Sequence, residues 1–288
     1  RNVTGVQTCA LPIYQKMKLA RSILFIFTFI LFGCDEVEKN TNDGIDKMNG
    51  VKFDLTKVFK YFDTSVNVYV DGDDIVINAD GVPGHKSPYF PQTENLSQNG
   101  YYYWVDSDND GTNDMWSNGQ SNFRQNPNYI AERNYTFRIP LNPKVSNQTS
   151  DTFMGPIGVT INGTPLFNQY EAGNTVLMPG EGIAQSLDGS AGHPAMRGDY
   201  HYHMIPDSVL NSTEDNFIGF AADGFPVYGP KNDDGKNVSD LDDSHGEFGP
   251  TPDFPDGIYH YHTTFTAPYI VGSFRGSIGF GWGGGPGN

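Results

Sequence analysis

Cysteine is nearly missing: the 288-residue chain has two, and neither is expected to act as a thiol in the folded protein. Cys9 precedes Met17, a better protein start than Arg1, and Cys34 sits at the end of the apolar segment that follows it. The fold therefore has no disulfide to rely on and no thiolate to offer a metal. Basic residues are scarce too, with 18 Lys and Arg against 34 Asp and Glu and a net charge of −16. Residues 1–33 hold Arg1, Lys16, Lys18 and Arg21 and no acid, so the chain beyond them is more acidic still. A phosphate backbone is held mainly by Lys and Arg, which excludes nucleic acid as a partner. No nucleophile elbow, Gly-rich phosphate loop or dinucleotide fingerprint stands in its proper context. Gly279 to Asn288 is glycine-rich low complexity, expected to fray.

The one long apolar run, Ser22 to Phe32, is too short for the roughly 20 residues that a bilayer span takes. Behind the basic Met17-Lys18-Leu19-Ala20-Arg21 it reads as a secretory signal. Leu31-Phe32-Gly33-Cys34 resembles the bacterial lipobox, whose cysteine is lipidated and becomes the first mature residue. The expected organisation is an upstream remnant over 1–16, a signal peptide over 17–33, a lipidated Cys34 with a polar tether to residue 50, one domain over 51–278 and the tail. The expected location is the cell envelope, with the membrane reached through the lipid on Cys34.

Strand signals dominate the domain. Val66 to Val70 and Ile75 to Ile77 flank Asp71-Gly72-Asp73-Asp74, a hairpin pattern, and Gly158-Val159-Thr160-Ile161 runs into the turn dipeptide Asn162-Gly163. Phe217 to Ala222, Asp223-Gly224 and Phe225 to Tyr228 read the same way, while Phe53, Leu55, Val58, Phe59 and Phe62 fit one short helix. With 34 glycines and 19 prolines, the expectation is a single mostly-β domain, sandwich- or barrel-like, with long loops and little helix.

Four of the seven histidines stand in two copies of one tetrapeptide, Tyr200-His201-Tyr202-His203 and Tyr259-His260-Tyr261-His262. On a strand, His201 and His203 share one face and the tyrosines the other, and His260 and His262 repeat this. Same-face neighbours lie roughly 6 to 7 Å apart along the strand, a gap two nitrogens at about 2.0 to 2.1 Å from one ion can close. Neutral imidazole suits zinc, copper, nickel and iron, and copper or zinc is the expected cofactor. Gly192-His193-Pro194 precedes the first motif and Ser244-His245-Gly246 the second. The leading expectation is that both pairs converge on one centre; two separate single-metal sites are the alternative. An open three-histidine site would support hydrolysis through a metal-bound water, copper would favour oxidation, and a closed four-histidine site would leave no place for substrate. The tyrosines are expected in the core.

These motifs, with Ile218 to Pro230, Pro268 to Gly276, Gly81-Val82-Pro83-Gly84-His85, Ile139 to Pro143 and Gly155 to Gly163, resemble the YHYH domain family of secreted proteins over about Val66 to Gly276. The resemblance implies no settled reaction. It adds His85, His193 and His245 as candidate ligands or groups that orient the ligating rings. It also implies cysteines near the second motif, where this chain has Ser244 and Ser273. Asp223 reads as a turn starter, with general acid/base work as the alternative, and Arg275 as a structural ion-pair partner, with bidentate binding of a substrate carboxylate or phosphate as the alternative.

A second cation signal is separate. Asp106, Asp108, Asp110, Thr112 and Asp114 surround Gly111 in the spacing that opens a calcium loop, but Ser117 stands where its closing acid belongs. A structural calcium clip is expected there. The competing function is a non-catalytic surface module that binds a protein, or stacks a glycan or other small ligand on Tyr101 to Tyr103, Trp104, Trp116 and Trp282, with the histidines purely structural.

Overall fold

The computed structural model describes residues 45–46, 48–90, 123–171, 174–213, 215–232 and 235–279. The leader with Cys34, the calcium-type loop Asp106 to Asp114 and the aromatics Tyr101 to Trp104, Trp116 and Trp282 lie outside them.

The fold is mostly β. The short helical segment expected near the start is a 3-10 turn over Leu55–Tyr61, capped by the Asp54 side chain and burying Leu55 and Val58. The first hairpin joins β1 (Asn67–Asp71) to β2 (Asp74–Ala79) across Gly72-Asp73, and β3 (Tyr135–Pro140) completes a three-stranded antiparallel sheet. Tyr135, Phe137 and Ile139 alternate into the core, as a strand with one solvated face requires. Short ladders follow: β4 (Ser150–Asp151) pairs with β15 (Ser273–Phe274), and β7 (Tyr170–Glu171) with β8 (Thr175–Val176).

The larger sheet carries β5 (Pro156–Thr160), β6 (Pro165–Phe167), β9 (Gly192–Pro194), β10 (Tyr200–Tyr202), β11 (Phe217–Ala221), β12 (Pro226–Tyr228), β13 (Gly246–Gly249) and β14 (Ile258–His262). Its order is β13-β14-β12-β11-β5-β6-β10-β9. The two ends differ, so the sheet is open and the barrel alternative falls; what the two sheets share is one hydrophobic core.

That order is the same unit written twice around the antiparallel β5/β11 pair. In each half a hairpin (β5-β6 or β11-β12) is followed by a motif strand parallel to its second member (β10 or β14), which is flanked by an antiparallel edge strand (β9 or β13). The sequence follows the duplication at a constant offset of 61 through Ile157-Gly158/Ile218-Gly219, Asn162-Gly163/Asp223-Gly224 and Pro165/Pro226. Gly163 and Gly224 both adopt positive φ, 79° and 89°, which the tight turns demand. Each turn then anchors a motif tyrosine: Asn162 Nδ2 donates to Tyr202 Oη at 3.0 Å, and Tyr261 Oη donates to Asp223 Oδ2 at 2.6 Å. All four motif tyrosines are buried, as expected.

The edge loops repeat as well. Asp188 Oδ1 accepts the backbone N–H groups of Ser190 and Gly192, and Asp242 Oδ1 those of Ser244 and Gly246. Tyr200 Oη donates to Asp188, and Tyr259 Oη to Asp242. The repeat is therefore Asp-x-Ser-x-Gly, which sets Gly192 against Gly246 and His193 against Glu247. The sequence pairing of His193 with His245 was two residues out of register.

Candidate metal centres

The expected single convergence does not occur. Among the described residues two separate groups form, Glu171 with His193, His201 and His203, and Glu247 with His260 and His262. Strands β10 and β14 stand five strand spacings apart in the sheet, about 24 Å at 4.8 Å each. Each imidazole pair closes on its own centre.

The hydrogen bonds of the rings fix their chemistry. His201 Nδ1 lies 2.8 Å from the Asp199 carbonyl, His203 Nδ1 2.8 Å from that of Asn168, His260 Nδ1 2.9 Å from that of Ile258 and His262 Nδ1 2.7 Å from that of Gly229. A carbonyl only accepts, so each Nδ1 carries the proton and donates it, leaving Nε2 with a bare lone pair. His193 follows the same logic, because Ser186 Oγ spends its proton on the Ile183 carbonyl and accepts from His193 Nδ1 at 2.7 Å.

These lone pairs point at one another. His201 Nε2 and His203 Nε2 are 3.0 Å apart, and His260 Nε2 and His262 Nε2 are 2.9 Å apart. Two nitrogens on one ion at 2.0 to 2.1 Å are separated by about 2.9 Å at a right angle and about 3.4 Å at the tetrahedral angle. Glu171 Oε1 lies 3.1 Å from the Nε2 atoms of both His193 and His203; Glu247 Oε1 lies 3.3 Å from that of His262 and 3.9 Å from that of His260.

Protons do not relieve the crowding at neutral pH. Burial pushes the imidazoles of His193 and His262 down and that of His201 far down, the neighbouring rings adding to the effect at His193 and His201; burial and His262 bring His260 to about 4. Neutral imidazoles and an ionised carboxylate face a common point, the arrangement that a cation completes.

A family model described as YHYH protein matches residues 136–238 and 232–276. The chain belongs to the YHYH family. No curated protein and no solved structure matches it significantly. The matched segments hold both centres of the YHYH domain.

The two centres are built from corresponding parts with different residues. Phe167 stacks on His201 with ring centres 3.9 Å apart, and its counterpart Tyr228 meets His260 edge-on at 5.3 Å. His193 faces His201 across the β9/β10 ladder just as Glu247 faces His260 across β13/β14. Sequence reasoning missed both carboxylates. Glu171 lies on a hairpin far from the motif in sequence, and Glu247 was within reach had the Asp-x-Ser-x-Gly repeat been used to align the halves.

His85 and His245 belong to neither group. His85 leans on Tyr200 with ring centres 5.7 Å apart and donates from Nδ1 to the Lys86 carbonyl at 2.8 Å. His245 occupies the left-handed loop position of Ala191, with φ values of 66° and 61°, and its carbonyl accepts from His262 N as that of Ala191 accepts from His203 N. Asp223 starts its turn and does more: fully buried, it accepts from Tyr261 Oη and from the N–H groups of Arg275 and Gly276, although burial still pushes its carboxyl up. Arg275 lies 3.4 Å from Asp242, the structural ion pair expected of it.

Ser244 and Ser273, the positions suggested for cysteines, meet with their hydroxyl oxygens 2.7 Å apart. The double substitution Ser244→Cys/Ser273→Cys is expected to form a disulfide that stabilises the protein by about 3 to 4 kcal/mol on loop-closure entropy. Free-thiol titration and a reducing-agent-sensitive Tm check it.

Proposed function

We propose that this is a lipid-anchored cell-envelope protein whose YHYH domain holds a transition-metal ion in each of two separate centres and uses metal-dependent hydrolytic chemistry. One observation carries the metal: every ring in the two groups is tautomerically fixed by its Nδ1 donor bond, so that bare Nε2 lone pairs converge with a carboxylate. Imidazole with carboxylate is a zinc set, and neither group contains the soft thiolate that would favour Cu(I). Zinc in such a set supplies Lewis acidity and lowers the pKa of a bound water to about 7. The chain's part is to hold the rings in one tautomer through backbone carbonyls and to shield the first centre from water. The anchor rests on Met17 to Cys34, which would place the acidic domain at the envelope surface on a polar tether.

Metal analysis of the whole chain, reconstituted with zinc and dialysed, tests this. Wild type is expected to keep two ions, the His201→Ala/His203→Ala and His260→Ala/His262→Ala variants one each, and the quadruple variant none. Negligible and equal metal in all four would reduce the histidines to a hydrogen-bonded cluster.

A further inference from the structure

The two centres differ in how many protein ligands they have, and the duplication shows where the difference lies. In the first half the hairpin behind β6 pairs Tyr170 with Val176 and delivers Glu171 to the centre. In the second half the same hairpin exists as an antiparallel bridge between Lys231 and Asn237, at the same offset of 61. The position of Glu171 is then Asn232, an amide. The second centre takes its carboxylate instead from Glu247, at the ladder position that holds His193 in the first. Among the described residues a set of four thus becomes a set of three.

No described residue fills the space left. A cavity of about 340 Å³ opens beside His260 and His262, lined also by Asn232, Asn216, Lys231 and Tyr228. Burial follows the same division, since the Glu171 side chain is 17 % exposed and that of Glu247 35 %. Zinc with one carboxylate carries a net positive charge, and Lys231 adds another at the cleft. Among the described residues lining the cleft, the acid besides Glu247 is Asp215, which accepts from the Tyr61 hydroxyl. Asn216 and Asn232 line the same wall.

We infer that the second centre is an open coordination site that admits a small oxyanion, phosphate or carboxylate, from this cleft onto its metal, while the first centre is closed by Glu171 and His193 and serves the fold. The inference rests on the metal reading above. Coordination would bring the oxyanion's charge onto the ion, with Lys231 and the two amides holding its outer oxygens. The substrate class is then a small molecule with an exposed phosphate or carboxylate group, such as an ester whose product anion the same groups stabilise.

The experiment loads the whole chain with Co²⁺, which reports its coordination in visible absorption, and titrates inorganic phosphate or acetate as the probe. Wild type is expected to bind two ions, with at least one probe changing the spectrum of a single one. His201→Ala/His203→Ala keeps that response on its remaining ion. His260→Ala/His262→Ala loses it. Asn232→Glu, which restores the fourth ligand, keeps both ions and loses the response, and Lys231→Met weakens the probe at least tenfold. Two bound ions with no response to either probe would overturn the inference and leave the metal reading intact. So would a response that survives in Asn232→Glu or in His260→Ala/His262→Ala. Fewer than two ions in wild type sinks the metal reading, and the inference with it.

Discussion

Stripping both metals is expected to lower the melting temperature of the protein by roughly 15 to 30 °C and to make what remains acid-labile. An ion held at 1,000 times its Kd adds about 4 kcal/mol of stability, and two centres double it; in a domain of this size each kcal/mol moves Tm by about 2 to 4 °C. The structural reason is local. Without a cation, Nε2 lone pairs 3.0 Å apart repel one another, and Glu171 adds its charge to the first centre. The pH dependence follows from the same rings. His193, His201, His260 and His262 have folded pKa values below their ordinary 6.5, so as pH falls the unfolded chain takes up protons first. Stability of the metal-free protein is therefore fully present above about pH 6.5 and lost as pH falls toward the folded values. His260, at about 4, accounts for about 3 kcal/mol of that loss by itself. Calorimetry of the chelated and reconstituted protein between pH 7.5 and 4.5 reads both effects. A chelated protein that melts with the holo form and shows no acid slope in this range would contradict the account.

What the sequence made legible was whatever depends on neighbours along the chain. The alternation of His201 with Tyr202 and of His260 with Tyr261, the Asn162-Gly163 and Asp223-Gly224 turns and the first hairpin all follow from period and turn chemistry. The tautomer of His201 and His260, which each borrow the carbonyl two residues back, is just as local, yet only the structure showed it. What was not legible depends on which strand lies beside which. That His201 and His260 sit on opposite flanks of one sheet is a consequence of β5 and β11 pairing at its middle, and no spacing between the motifs announces it. The 59 residues between Tyr200 and Tyr259 suit facing half-sites as well as separated ones. Glu171 reaches its centre through a hairpin with no histidine in it. His193 and His245 match in residue type only; the geometry the two halves share belongs to the Asp188 and Asp242 loops, whose carboxylates count backbone N–H groups and not side chains.

That geometry makes the second large effect specific to one centre at a time. Gly192 and Gly246 open the two edge strands, and a Cβ at either would run into the hydroxyl of the motif tyrosine beside it, Tyr200 or Tyr259. It would also stand 2.7 Å from the His201 carbonyl or 2.8 Å from that of His260, backbone that has no freedom to retreat. The tyrosine cannot swing away either, since its hydroxyl is held by Asp188 or Asp242. Relief must come from parting the edge strand from the motif strand, and that ladder is what sets His193 against His201 and Glu247 against His260. Overpacking of this kind costs about 1 to 3 kcal/mol; the sharper readout is the metal. Gly192→Ala is expected to empty the first centre and spare the second, Gly246→Ala the reverse, each leaving one ion per chain. Gly249→Ala, on the same strand as Gly246 with its nearest neighbour 3.7 Å from the added carbon, should keep both ions and wild-type stability. If Gly246→Ala retained the full complement of metal at unchanged affinity, strand pairing would not be what presents Glu247, and the correspondence between the two halves would lose its mechanical basis.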